Sequence, residues 1–277
     1  MTDTEMVWWI ILYAVIFLYG IVIGSFLNVC ILRVPLKESI AKERSHCMTC
    51  GYQLKWYDLI PLFSYIFLKG RCRKCKTHIS LQYPLVEGLN GVLYVLIFLI
   101  NGWSIDSVIY CLLTSALIVL SVIDFRTYEI PVGINWVILA LGLIRLLYHM
   151  VHDYMINGTI HIGDYMEYGI GLVAVSGFLL IVNLICNLIV RKDGMGGGDI
   201  KLMGAAGLLL GWKNIILAFL LGCILGSVIH IIRMKLSDED HVLAFGPYLA
   251  GGIFIAALWG EKILSWYISL FPKITIQ

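Results

Sequence analysis

Two aspartates stand at the ends of long apolar runs, where a carboxylate is costly and signals function by default. Asp124 closes one run in Ser121-Val122-Ile123-Asp124-Phe125-Arg126, and Asp199 opens another after Gly196-Gly197-Gly198. Two carboxylates at one depth can share a proton, because adjacent like charges push one pKa up and the other down. Such a pair can activate a water and protonate a leaving amine, as aspartic proteases do. Taken singly, Asp124 reads as readily as an ordinary helix-end residue. The glycines before Asp199 lack a Gly-Lys-Ser/Thr ending and follow no strand, which argues against a nucleotide loop. Two readings stay open on the residues alone: an interfacial turn, or a place where missing side chains let an extended substrate backbone approach. Glu87 begins a further apolar run. It could cap that helix's N-terminus, pair with a basic residue, or contact substrate.

The sulfur chemistry is more specific. Cys47-Met48-Thr49-Cys50 and Cys72-Arg73-Lys74-Cys75 are two C-x-x-C knuckles with 21 residues between them, close to the usual spacing of a four-cysteine zinc site. Each short loop lets two thiolates reach one tetrahedral ion, and nearby lysines and arginines favour the thiolate form. A closed four-thiolate site leaves no position for a substrate, so the metal is structural. A pair of disulfides is the competing reading, and it conflicts with a cytoplasmic loop, where thiols stay reduced. His46 and His78 flank the knuckles as bystanders. Cys30, Cys111, Cys186 and Cys223 lie singly in apolar runs and read as small buried residues.

The elements that must position these groups are membrane helices. The 277 residues are 60% hydrophobic and 14% charged, with a mean hydropathy of +0.89. Soluble domains run at roughly 45–50% apolar and about 25% charged, so neither a soluble globule nor a disordered chain fits. A net charge of +2 gives no reason to expect a nucleic-acid partner. Met6 to Leu32 carry no charge, which exceeds the roughly 20 residues needed to cross a bilayer. Acids precede this run and bases follow it, unlike a cleaved signal peptide. Further runs at about 85–101, 105–123, 132–151, 165–190, 200–211, 213–232 and 245–260 predict about eight transmembrane helices in an all-α polytopic protein. The 200–211 run is short and rich in glycine, so it is expected to tilt, dip or pack tightly. With the N-terminus outside, sixteen of the 20 basic residues fall on the cytoplasmic side, leaving Arg145, Lys213, Lys262 and Lys273 outside. Both aspartates then sit at the cytoplasmic boundary, and residues 33–84 form the one substantial soluble segment.

In combination these residues resemble the bacterial type IV prepilin peptidases. The matching elements are Gly24-Ser25-Phe26-Leu27-Asn28-Val29 with Arg33-Val34-Pro35; both knuckles; Tyr83-Pro84-Leu85-Val86-Glu87; Asp124 with Ile130-Pro131; Gly196-Gly197-Gly198-Asp199-Ile200-Lys201; and Phe245-Gly246-Pro247-Tyr248. The resemblance implies an aspartic peptidase whose essential carboxylates map onto Asp124 and Asp199. Its substrates would be prepilins or pseudopilins, cut on the cytoplasmic side of the bacterial inner membrane after a short basic leader ending in glycine. It further implies methylation of the new N-terminal amine by S-adenosylmethionine, for which no cofactor fingerprint is present. Met48 stands where proline is common, and Val132 where the family often has an aspartate, which removes any substrate contact by that carboxylate.

The expected organisation is a first transmembrane helix over 1–32, a cytoplasmic metal-binding region over 33–84, and a peptidase part over 105–277. Residues 1–100 form the methyltransferase-associated part. Gly196, Gly198, Lys201, Glu87 and Glu129 are expected to support the motifs or meet substrate. Asp58, Glu87, Glu129 and Asp193, with anionic lipid, are expected to offset the positive face that a basic leader meets. A transporter or a zinc-loop docking protein is the alternative; a transporter calls for an internal repeat with interrupted helices, and no second copy of the glycine or cysteine elements is found. An inactive homologue or a pure methyltransferase requires one aspartate to be dispensable.

Overall fold

The computed structural model describes residues 3–42, 44–159, 161–190, 196–236 and 244–270. Arg191, Lys192, Asp193 and Lys273, which entered the charge arguments, lie outside them. The described chain is helical: α1 Asp3–Leu36, α2 Phe63–Phe67, α3 Gln82–Asn101, α4 Ile105–Thr127, α5 Val132–Asn157, α6 Ile162–Val190, α7 Gly197–Leu210, α8 Trp212–Leu236 and α9 Gly246–Ser269. Among the described residues, seven helices are long and apolar enough to cross a membrane. The remaining apolar run is α7, whose 14 residues extend about 21 Å at 1.5 Å each, short of a roughly 30 Å hydrocarbon core.

The chain divides into two compact units, Met1–Ile123 and Asp124–Gln277. In the first, α1 packs along α3. A Cβ on Gly20 would meet Gly91 Cα at 2.6 Å, and one on Gly24 would meet Glu87 Cα at 2.7 Å, so the missing side chains set how close the two backbones come. Small residues allow such contact where no hydrophobic force drives helices together in lipid. The approach lets Asn90 Nδ2 donate to Gly20 O at 2.7 Å. Ser115 Oγ on α4 donates to Asn90 Oδ1 at 3.0 Å and lies 2.9 Å from Tyr94 Oη. This network satisfies polar groups that have no water to turn to.

In the second unit α7 is the central element, contacted by α5, α6, α8 and α9. Leu202 to Leu210 are all buried. Gly171 on α6 and Gly207 on α7 meet backbone to backbone. Arg145 of α5 donates Nη1 to Leu209 O at 2.8 Å, placing a cation at the negative end of the short helix. The glycine-rich run therefore packs tightly, as its composition suggested. Of the four single cysteines only Cys111 is fully buried; Cys30, Cys186 and Cys223 are half-buried.

Candidate active site and metal centre

Asp124 lies one turn before the end of α4, where Tyr128 N donates to Asp124 O at 2.8 Å. The chain turns at Tyr128 with φ of 55° and re-enters helix at Pro131, the N-cap of α5. The Asp124 side chain is 5% exposed. Its Oδ2 accepts the N–H of Gly246, the first residue of α9, at 2.9 Å. An N–H at a helix N-terminus favours an anion, so the Phe245-Gly246-Pro247 motif holds this carboxylate. No sequence argument had given that motif a task.

Asp199 occupies the third position of α7, its N–H donating to Gly196 O at 3.1 Å. Asp199 Oδ1 is buried with no hydrogen-bond partner among the described residues. Asp199 lies near enough to Asp124 to feel its charge. The missing side chain of Gly198 is accounted for within the protein: a Cβ there would stand 2.7 Å from Ile130 Cβ. Gly198 O also accepts Asn135 Nδ2 at 3.3 Å. Gly196 has Asp199 Oδ2 at 3.2 Å from its would-be Cβ, and Gly197 has nothing within 4 Å. Gly198 thus seats α7 on the α4–α5 turn. Asn135, buried and with Oδ1 unpartnered, was missed because an asparagine near a helix start carries no sequence signal. Glu129 and Lys201 are exposed.

Glu87 and Asp58, also weighed for substrate contact, each make hydrogen bonds within the first unit. Glu87 is buried on α3 and its Oε2 accepts Leu62 N at 2.8 Å. It neither caps its own helix nor pairs with a base in that contact. Asp58 takes Arg73 Nε at 2.7 Å and Lys55 N at 3.2 Å, tying one knuckle to the other.

Both knuckles are built alike. Cys47 N donates to Tyr52 O and Gly51 N to Cys47 O, each at 2.9 Å; Cys72 N donates to Thr77 O at 2.9 Å and Lys76 N to Cys72 O at 3.0 Å. Gly51 and Lys76 take the left-handed position, with φ of 67° and 61°. The four Sγ atoms lie within 4.8 Å of one another, with Cys47 and Cys75 at 3.8 Å. Tetrahedral thiolates at a Zn–S distance of about 2.3 Å would stand about 3.8 Å apart, and the thiols are free rather than bonded. The Thr77 hydroxyl and backbone N–H pull Cys75 down to about 6. At Cys50 the Tyr52 N–H favours the thiolate, but desolvation and the three other sulfurs push the thiol up to about 11. Four thiolates together need a cation. Donor set and geometry therefore fit a structural metal. His46 and His78 stay outside the cluster, each in an isolated β-bridge.

Residues 18–100 match the Bacterial Peptidase A24 N-terminal domain, and residues 111–231 the Type IV leader peptidase family. A prepilin leader peptidase/N-methyltransferase of Aeromonas salmonicida is 33% identical over 288 residues, covering 93% of this chain and 94% of that protein. One from Pseudomonas aeruginosa is 30% identical over 279 residues, covering 91% of each. One from Myxococcus xanthus is 33% identical over 226 residues, 80% of this chain and 64% of that protein. No solved structure matches the chain. Identity sustained over nearly the whole length goes beyond a shared motif, and the chain belongs to the type IV leader peptidase family.

Proposed function

We propose that this multi-pass membrane protein is an aspartic endopeptidase of the bacterial inner membrane. It removes the short basic leader of prepilins or pseudopilins at the cytoplasmic face and N-methylates the new terminus. The observation that carries the peptidase reading is Asp124, held by Gly246 N–H, within electrostatic reach of Asp199, whose Oδ1 has no hydrogen-bond partner among the described residues. The shared proton resides on Asp199, while Asp124 is the base. Asp124 takes a proton from water as its oxygen attacks the scissile carbonyl, and Asp199 donates its proton to the carbonyl oxygen. When the C–N bond breaks, Asp124 returns its proton to the leaving amine and the diol returns one to Asp199, restoring both groups.

Residues 105–277 form the peptidase part, and 1–100 the methyltransferase-associated part. The boundary between the two family matches supports this division. Cys47, Cys50, Cys72 and Cys75 would hold zinc, which when bound ties the knuckles into one module. S-adenosylmethionine is the methyl donor by family membership; among the described residues no cluster marks its site. The cytoplasmic orientation rests on the placement of basic residues. The test is co-expression with a prepilin, following leader loss by mass. Asp124→Asn and Asp199→Asn should each lower processing by at least about 10²-fold, since an amide cannot relay the proton. Near-wild-type processing by either folded variant overturns the assignment.

A further inference from the structure

The segment between the knuckles belongs to neither the sulfur cluster nor the carboxylate pair, yet it displays large apolar side chains. Trp56 is 77% exposed, Phe63 49%, Ile66 68% and Phe67 82%. The segment is firmly built. Tyr65 turns inward, its hydroxyl donating to Ile79 O at 3.2 Å. Gly70 N donates to Tyr65 O at 2.9 Å and Ile79 N to Gly70 O at 2.8 Å. Outward apolar groups on an ordered scaffold mark an interaction surface.

Two observations identify what covers it. Glu87, which fixes Leu62 N at 2.8 Å, lies inside the membrane-crossing helix Gln82–Asn101. Five residues beyond the helix start, it sits about 7–8 Å along the axis. Leu62 takes a φ of 59° in making this contact, a conformation a leucine seldom adopts. The tether therefore holds the segment at the level of the first turns of a membrane helix. Charge is the second observation. From Arg44 to Val86 the only acid is Asp58, against Arg44, Lys55, Lys69, Arg71, Arg73, Lys74 and Lys76, and Asp58 is occupied by Arg73. Exposed aromatic and aliphatic groups in a segment whose charge is mostly lysine and arginine suit the headgroup–acyl boundary of an anionic bilayer.

We propose that Trp56, Phe63, Ile66 and Phe67 enter the bilayer interface beside α3, and that this anchor holds the four-cysteine module flat on an anionic membrane surface. The proposal is independent of the peptidase reading. It is tested on the full-length protein carrying a nitroxide amino acid at Phe67, and in a second variant at Trp56, reconstituted in phosphatidylcholine–phosphatidylglycerol vesicles. Collision with oxygen and with a water-soluble nickel complex is compared with the same label at Met48, 79% exposed on the first knuckle, and at Val92, 56% exposed on α3. Both anchor sites should show the oxygen-rich, nickel-poor signature of the interface, between the aqueous Met48 and the lipid-facing Val92. In pure phosphatidylcholine both should move toward the Met48 value. A signature equal to Met48 in anionic vesicles overturns the proposal. So does shielding from both quenchers, the mark of a protein partner or a second copy. Insensitivity to lipid charge overturns the electrostatic half.

Discussion

Gly198→Ala tests whether the glycine seats α7 or admits substrate. The added Cβ would stand 2.7 Å from Ile130 Cβ, where carbon atoms prefer about 3.5–4.0 Å, so α7 and the α4–α5 turn must part by about 1 Å. Overpacking of this kind costs about 1–3 kcal/mol, which leaves a folded protein. The displacement falls directly on the two carboxylates proposed to be catalytic: Asp199 follows Gly198, and Asp124 precedes Ile130 by six residues. A 1 Å misplacement of reacting groups costs on the order of 10²-fold in rate. Purified variants assayed for leader removal by mass should therefore show Gly198→Ala slowed about 100-fold. Gly197→Ala, with nothing within 4 Å of its Cβ, should stay near wild type. Ile130→Gly removes the opposing Cβ, so adding it to Gly198→Ala should recover most of the loss relative to Ile130→Gly alone. Wild-type activity in Gly198→Ala refutes the seating argument. Failure of Ile130→Gly to relieve the defect refutes it as well, and would return Gly198 to substrate contact.

Elemental analysis of freshly purified protein should find one tightly held metal per chain, lost on Cys→Ser exchange at position 47, 50, 72 or 75; protein without zinc or iron contradicts the site. In those variants proteolysis should open the 45–80 loop well before the membrane helices. Asn135→Leu removes the donor to Gly198 O and should cost about 1 kcal/mol in stability together with a measurable fall in kcat; unchanged kcat at reduced stability would show Asn135 to be purely structural. Leaders graded in charge should be processed faster in anionic than in neutral vesicles, at about 1 kcal/mol of attraction per basic residue; equal rates throughout remove that electrostatic contribution.

The helical class, the apolar runs and the two knuckles were legible in the sequence because each is a local property. Hydropathy is summed along the chain, and a C-x-x-C spacing brings two sulfurs to one ion whatever the rest of the protein does. Asp124 and Asp199 were legible for a related reason: a carboxylate beside an apolar run needs no partner to be noticed. Hydropathy could not show that α7 is enclosed by protein, since a helix buried among protein and one buried in lipid are equally apolar; its buried residues and its neighbours decide that. Contacts across long separations were illegible. The Gly246 N–H reaches Asp124 over 122 positions, and Glu87 holds Leu62 over 25. Nothing in either residue's neighbourhood encodes its partner, because the pairing depends on how closely whole helices pack. That closeness is set by small residues meeting backbone, as Gly171 meets Gly207. Sequence therefore named the candidate carboxylates, while tertiary packing decided that Asp124 is held by the Gly246 N–H and that Asp199 Oδ1 has no partner among the described residues.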